Sequence, residues 1–225
     1  MMFFKKKDDT THLEKLIAEY RKKQSPNTLN QMYELFPKVP LYYATLETAL
    51  GPDNFPYVNL KLRGENENQT TLKEIAEKAL TEGFGVTINK SGDQVDWVFS
   101  LGDFISLARA GFLVSHNGNV GFQSNRVEKE TKVQVGVPNE DIIPITVRKH
   151  LRNFMQTTLK IEKPKFYLRF NPNDNPPWTI MFNFSRKDFG NEADYRNALG
   201  YLSRFFAKTV FTGSIENDKN EFFEI

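Results

Sequence analysis

In the last hundred residues, segments whose apolar residues have the spacing of a helix are interspersed with segments whose apolar residues alternate as in a strand. The order of these segments constrains the fold more than any other sequence feature. Two segments combine an apolar helical stripe with a start signal, one opened by Pro144 and one capped by Asn191. Four segments alternate as strands do: 132–137, 165–170, 178–184 and 209–215. The order βαββαβ is typical of a ferredoxin-like sandwich. We therefore expect residues 131–215 to form a ferredoxin-like α+β domain.

The third strand of this domain has one fully apolar side and one mixed side. Ile180, Phe182 and Phe184 share the apolar side, so they should face the two helices. The opposite side carries Thr179, Met181 and Asn183. That side is too apolar to be wholly solvated. We therefore expect part of it to be covered by the N-terminal region or by a second subunit of a homodimer.

The first 125 residues predict a second, mixed α+β unit that opens with a pair of helices. Helix start signals occur at Thr11, Ser25, Thr71 and Ser100. Segments rich in β-branched and aromatic residues lie between these predicted helices. The polar stretch 124–131 is the predicted boundary, which divides the chain into 1–125, 131–215 and a tail at 216–225.

The composition excludes several classes of protein. The 225 residues include no Cys, so disulfides, thiolate catalysis and Cys-based zinc sites are ruled out. The formal net charge of +2 is too balanced to indicate a polyanionic partner. No run of residues has the apolar length of a membrane span, and the first residues lack the pattern of a secretory signal. We therefore expect a cytoplasmic protein.

No constellation of residues indicates catalysis. The three His are scattered, and no pair has the spacing of a helical metal site. Phosphate-binding glycine loops and nucleophile elbows are absent. We predict a non-enzymatic protein with no catalytic residue, no cofactor and no metal. The alternative is an enzyme built from residues without a motif, for which a deep pocket around a buried His or carboxylate would be the sign.

Six residues of the C-terminal region are the candidates for contact with a partner: Arg148, Lys149, Arg152, Tyr167, Arg169 and Met181. The first three place basic groups on one predicted helix. The last three lie on predicted strands: Tyr167 and Arg169 can share one face of the second strand, and Met181 lies on the mixed side of the third. The leading hypothesis is a protein-binding module, such as an adaptor, a regulator or an immunity-type protein, whose partner is an unknown protein.

Single-stranded RNA binding by the C-terminal sheet is the second hypothesis. RNA recognition motifs share the βαββαβ order, and residues 126–225 hold 16 basic and 13 acidic groups, a net charge of +3. However, the strand at 132–137 has no aromatic residue, and the strand at 178–184 lacks the Arg-Gly start of the motif. These departures argue against a nucleic-acid partner.

The layout resembles that of bacterial SseB-like proteins. An amphipathic helix pair runs into an aromatic strand between Leu13 and Tyr43, and a mixed α/β region and a separate α+β half follow. The stretch Ser100 to Phe104 is the most motif-like part, although the family's Phe-Thr-Ser stretch is missing. The resemblance implies a cytoplasmic two-part protein without a known catalytic site, and no functional residue is carried over.

Overall fold

The computed structural model describes residues 9–65, 67–92, 94–113, 133–215 and 222–225. The helices in these residues are α1 Asp9–Lys22, α2 Pro26–Leu35, α3 Leu72–Glu82, α4 Leu101–Ala110, α5 Ile145–Thr157 and α6 Glu192–Ser203. The strands are β1 Leu41–Tyr43, β2 Thr48–Leu50, β3 Pro56–Leu60, β4 Asn68–Thr70, β5 Gly85–Ile88, β6 Trp97–Phe99, β7 Gln134–Gly136, β8 Lys165–Phe170, β9 Trp178–Phe182, β10 Val210–Ser214 and β11 Phe223–Glu224. The predicted α+β class is confirmed.

The N-terminal half contains a four-stranded sheet in the order β2-β3-β5-β6. β3 and β5 are parallel and are connected through α3, whereas the outer strands pair antiparallel with them. β1 and β4 form a separate antiparallel pair. Tyr20 of α1 and Tyr33 of α2 contact the ring of Trp97 edge-on, so the helical pair packs against β6.

Local capping fixes the ends of α3 and α4 as the sequence predicts. Thr71 and Ser100 each accept a hydrogen bond from the backbone three residues later, and the acidic side chain at that position bonds back. Both helices end at a glycine in the left-handed region, Gly83 at φ 81° and Gly111 at φ 77°. These boundaries follow from local chemistry alone.

The capping box predicted at Thr11 is wrong. Helix α1 already begins at Asp9, which places Thr11 inside the first turn. The Glu14 carboxylate accepts two hydrogen bonds of 2.8 Å from Arg63 instead of capping the helix. A guanidinium supplied by the tertiary structure thus replaces the local partner that the spacing predicted.

The ferredoxin-like strand order predicted for the C-terminal half is not confirmed. The strands follow the order β7-β8-β9-β10, in which β9 and β10 are parallel neighbours and the other pairs are antiparallel. In a ferredoxin-like sheet the first strand would lie between the third and the fourth. Here β9 and β10 pair directly with each other through five register pairs, so β7 does not lie between them. The three residues of β7 could form fewer pairs in that position.

The two sides of β9 are buried as predicted. Ile180, Phe182 and Phe184 are all buried in the core, whereas Met181 on the other side is half-buried. Part of the cover on that side comes from the chain itself, because the ring of Phe222 lies 5.1 Å from that of Tyr167, on the neighbouring strand. Residues 222–225, which the sequence analysis assigns to a tail, therefore belong to the C-terminal sheet.

The two halves share one continuous core. Phe55 of the N-terminal half contacts Phe154 and Phe205 of the C-terminal half, with ring centroids 6.2 and 5.4 Å apart. His150 of α5 reaches the end of α3, where its Nε2 lies 3.0 Å from the carbonyl oxygen of Thr81. The predicted boundary at 124–131 lies outside the described residues, so the packing of the halves shows their contact but not the position of the linker.

The main chains of the two halves come into direct contact at Gly102, in the first turn of α4. The Gly102 N–H donates to the carbonyl oxygen of Arg204 at 2.8 Å. A Cβ atom at this position would overlap the backbone of Phe206. Only glycine allows this contact, because the obstacle is main chain that cannot rotate away.

We expect Gly102→Ala to lower the free energy of unfolding by about 2–3 kcal/mol, since the added methyl must push two backbones apart. Urea denaturation would measure the change. Gly200→Ala is the control: Gly200 lies in α6 with nothing within 4 Å of an added Cβ, and its replacement should raise stability by about 0.5–1 kcal/mol. Equal effects of the two substitutions would contradict the proposed contact.

Candidate functional site

The turn 204–208, between α6 and β10, carries two cations that reach into the N-terminal half. Arg204 contacts the carboxylate of Asp53 and donates a 2.8 Å hydrogen bond to the hydroxyl of Tyr57. The Tyr57 hydroxyl in turn donates to Asp53 Oδ2 at 2.8 Å. Asp53 is only 4% exposed, so this charge is neutralised almost entirely by Arg204 and by polar groups of the protein.

Lys208, at the other end of the turn, forms the second buried charge contact. Its Nζ lies 2.8 Å from Asp103 Oδ1 and donates to the hydroxyl of Tyr33. Asp103 Oδ2 accepts hydrogen bonds from the backbone N–H and the hydroxyl of Ser100, both at 2.9 Å. Asp103 is also 4% exposed. We call the two contacts together the polar clamp: Tyr33, Asp53, Tyr57, Asp103, Arg204 and Lys208.

Burial shifts the ionisation of the clamp residues. It raises the pKa of the Tyr57 hydroxyl to about 12 and also raises the pKa of Tyr33, so both phenols are neutral at physiological pH. Burial lowers the pKa of Arg204, whose guanidinium nevertheless stays protonated and charged at neutral pH. For Lys208, burial acts to lower the pKa, but the Asp103 carboxylate and Tyr33 outweigh it, and the net shift is upward. The two phenols of the clamp are therefore neutral near pH 7, and Arg204 and Lys208 are charged.

The clamp gives the stretch Ser100 to Phe104 a role that the sequence did not reveal. Ser100 and Asp103 cap α4. The Gly102 N–H donates to the carbonyl oxygen of Arg204 in the turn, and the Asp103 carboxylate forms an ion pair with Lys208. Both carboxylates of the clamp are shielded from solvent and engaged by neighbouring groups. The arrangement supports attachment of the two halves rather than acid–base chemistry on a substrate, which needs access.

An open sheet edge is the main exposed feature of the C-terminal half. β7 pairs with β8 on one side, and no described strand pairs with its other side. Val133, Val135 and Val137 alternate along it and are all exposed. The range 133–137 contains no charged residue and no Pro, although proteins usually protect exposed edges with such residues. Among the described residues, the outer side of β7 thus has no strand partner for its backbone groups, which lie beside apolar side chains.

The basic residues predicted on α5 differ in their accessibility. Arg148 donates to the carbonyl oxygens of Pro138 and Ile143, and its guanidinium lies over the ring of Phe166 on the helix side of the sheet. Lys149 and Arg152 are exposed. Arg148 therefore supports the segment that leads from β7 into α5, and only its two neighbours are open to a partner.

The three predicted residues on the sheet face lie together, on the opposite side from Arg148. Tyr167 and Met181 are register partners on β8 and β9, and Arg169 follows on the same side of β8. Arg169 forms an ion pair with Asp174 at 3.1 Å. Tyr167 is 3% exposed beneath Phe222 and so presents no free ring for base stacking. The six predicted residues therefore do not form one surface.

Two further polar places in the fold are the oxygen-rich loop 171–175 and a cleft in the N-terminal half. Asn171 and Arg169 donate to the two oxygens of Asp174, which closes the oxygen-rich loop after β8 as a turn. A shallow cleft of about 220 Å³ lies beside Tyr42 and Arg63 in the N-terminal half. Among the described residues, no group of three or more His, Asp or Glu could hold a metal ion. None of these places collects catalytic groups.

Comparison with known proteins adds no relative. No family model, no curated protein and no solved structure matches this chain. The resemblance to SseB-like proteins thus stays a prediction. In the part of the chain that the structure describes, no helix has both the length and the apolar character needed to cross a membrane.

We expect Lys208→Met to lower the free energy of unfolding by about 3 kcal/mol, because it leaves the Asp103 charge buried without its cation. Chemical denaturation at pH 7 is the measurement. Arg196→Met serves as the control, since Arg196 forms an exposed pair with Glu192 whose loss should cost at most about 0.5 kcal/mol. A Lys208→Met variant as stable as the control would show that the clamp is not needed.

Alkaline pH should also weaken the clamp. The pKa of Tyr57 rises from 10.0 to about 12 on folding, so the folded state holds its proton more tightly than the unfolded state. The resulting stability is complete below pH 10 and is lost as the pH rises towards 12. We expect thermal unfolding between pH 9 and 12 to show a steeper loss for the unaltered protein than for Tyr57→Phe. An equal decrease of the melting temperature with pH in the two proteins would refute this dependence on Tyr57.

Proposed function

We propose that this protein is a non-enzymatic, cytoplasmic protein-binding module and that its partner adds an extended segment to the open edge of β7. The observation that carries the proposal is the uncharged, exposed edge strand, with Val135 at its centre. Strand addition of this kind draws affinity from main-chain hydrogen bonds and specificity from alternate side chains. Adaptors, regulators and immunity-type proteins all fit this mode of binding.

The proposed partner segment is short and apolar on one side. β7 spans three residues, and Pro138 follows Val137, so the edge offers few main-chain groups. Val133, Val135 and Val137 supply the apolar contact on one face of the sheet, on the same side as Arg169, the register partner of Val135. A segment with alternating apolar side chains and no charge opposite these valines matches this edge.

The rest of the structure supports a binding role. The buried ionic groups of the polar clamp are engaged in holding the halves together and are not available for recognition, whereas the β7 edge is exposed. The resemblance to SseB-like proteins favours the same class of function. A rigid attachment of the two halves would present β7 in a fixed orientation, which lowers the entropic cost of binding a partner.

The decisive experiment compares two valines of nearly equal exposure, Val135 at 43% on β7 and Val98 at 42% on β6. Immobilised unaltered protein, Val135→Lys and Val98→Lys would each capture proteins from native lysate, with quantitative mass spectrometry as the readout. We expect a partner that the unaltered protein and Val98→Lys retain equally and that Val135→Lys loses by at least about tenfold, since a charge blocks the edge.

Val135→Thr tests whether any loss reflects the edge rather than misfolding. Threonine keeps the β-branched shape, so this variant should retain most of the binding, and circular dichroism should be the same for all variants. A partner that Val98→Lys loses and Val135→Lys retains would place the interface on the N-terminal sheet. Capture that no substitution changes would overturn the proposal.

A further inference from the structure

The outer edge of β8 is divided between two short strands. β7 pairs with the end of β8 that includes Phe170, whereas β11 pairs with the beginning, where Phe223 is opposite Phe166 and Glu224 is opposite Lys165. β11 forms only two register pairs, compared with five between β8 and β9. By the number of register pairs, residues 222–225 are therefore the most weakly paired described part of this sheet.

The side chains of residues 222–225 nevertheless match their site closely. The ring of Phe222 packs on Tyr167 with centroids 5.1 Å apart. Ile225 is 4% exposed and belongs to the common hydrophobic core. Glu224 lies directly opposite Lys165, a pairing of opposite charges across the strands. The site thus accepts an aromatic side chain at position 222, an acidic one at 224 and a buried aliphatic one at 225.

We infer that this site at the beginning of β8 exchanges its occupant: residues 222–225 of a second copy of the chain bind there in place of the chain's own. The second copy is the fitting partner because it brings the same Phe222, Glu224 and Ile225 to the same contacts. Few main-chain hydrogen bonds hold the segment in place, and the Phe222 and Ile225 contacts that are lost when it leaves are restored by the same residues of the second copy. Exchange of identical elements is a known route to a symmetric dimer. This inference goes beyond the proposed function, since it does not involve the free edge of β7.

The absence of Cys from the chain allows a direct test with full-length variants. Residues directly opposite in an antiparallel pair are close enough for a disulfide. Lys165→Cys protein with a fluorescent label would be mixed with unlabelled Glu224→Cys protein in a glutathione redox buffer. We expect a labelled species of twice the monomer mass on a non-reducing gel, linked between Cys at 165 of one molecule and Cys at 224 of the other by mass spectrometry.

Two controls make the result decisive. Labelled Lys73→Cys protein, with its thiol at an exposed position on α3, should give at least about tenfold less mixed dimer with Glu224→Cys, as expected for random collision. The double variant Lys165→Cys/Glu224→Cys should close within one chain, which verifies the register. Closure in the double variant without mixed dimers above the Lys73→Cys control would overturn the exchange, and failure of the double variant to close would overturn the pairing itself.

The outcome is independent of the lysate experiment on Val135. Mixed dimers can form whether or not β7 binds a partner, and loss of capture by Val135→Lys leaves residues 165 and 224 unchanged. Adding excess synthetic peptide of residues 216–225 should suppress the mixed dimer, because the peptide competes for the same site. A dimer that the peptide does not reduce would contradict exchange through this segment.

Discussion

Two carboxylates, Asp53 and Asp103, lie almost completely buried where the halves of the chain meet, and the arrangement of the molecule depends on their neutralisation. Both cations come from one turn, with Arg204 and Lys208 on either side of Phe205 and Phe206. An isolated buried charge costs several kcal/mol, so each half is incomplete without the other at this interface. The aromatic rings of the turn bury apolar area, but the ion pairs fix which part of one half meets which part of the other.

This attachment determines which surfaces remain for function. The turn that carries the clamp leads directly from α6 into β10, so the position of the whole C-terminal sheet follows from the clamp. β10 lies at one edge of that sheet, and β7 and β11 share the other. The clamp turn thus enters the sheet at the β10 edge, whereas the edge along β8 carries the short strands β7 and β11. Both proposals for this protein concern that second edge.

The two proposals describe different chemistry on neighbouring parts of one strand. Beside β7 the exposed groups are backbone and valine, which recognise the extended shape of a segment more than its sequence. Beside β11 the contacts are specific, because an aromatic ring, a charge and a buried aliphatic side chain each have a matching group. The two proposals are compatible, because a second copy of the chain and a different protein would occupy different parts of this edge.

The sequence by itself determined the helices, the strands β7 to β10 and much of their polarity, but it indicated neither β4 nor β11. The caps at Thr71 and Ser100, the strand at 165–170 and the buried side of β9 all follow from contacts between residues a few positions apart, which a local pattern records. Only the tertiary structure decided the strand order, the place of residues 222–225 and the clamp. The sequence pattern around Asp103 indicates a helix cap, and only the fold shows its ion pair with Lys208. Likewise, the pattern predicts an accessible Tyr167, and only the fold shows that Phe222 covers it. Such pairs join distant positions, and one sequence contains no signal of which distant charge or ring will neutralise or cover another.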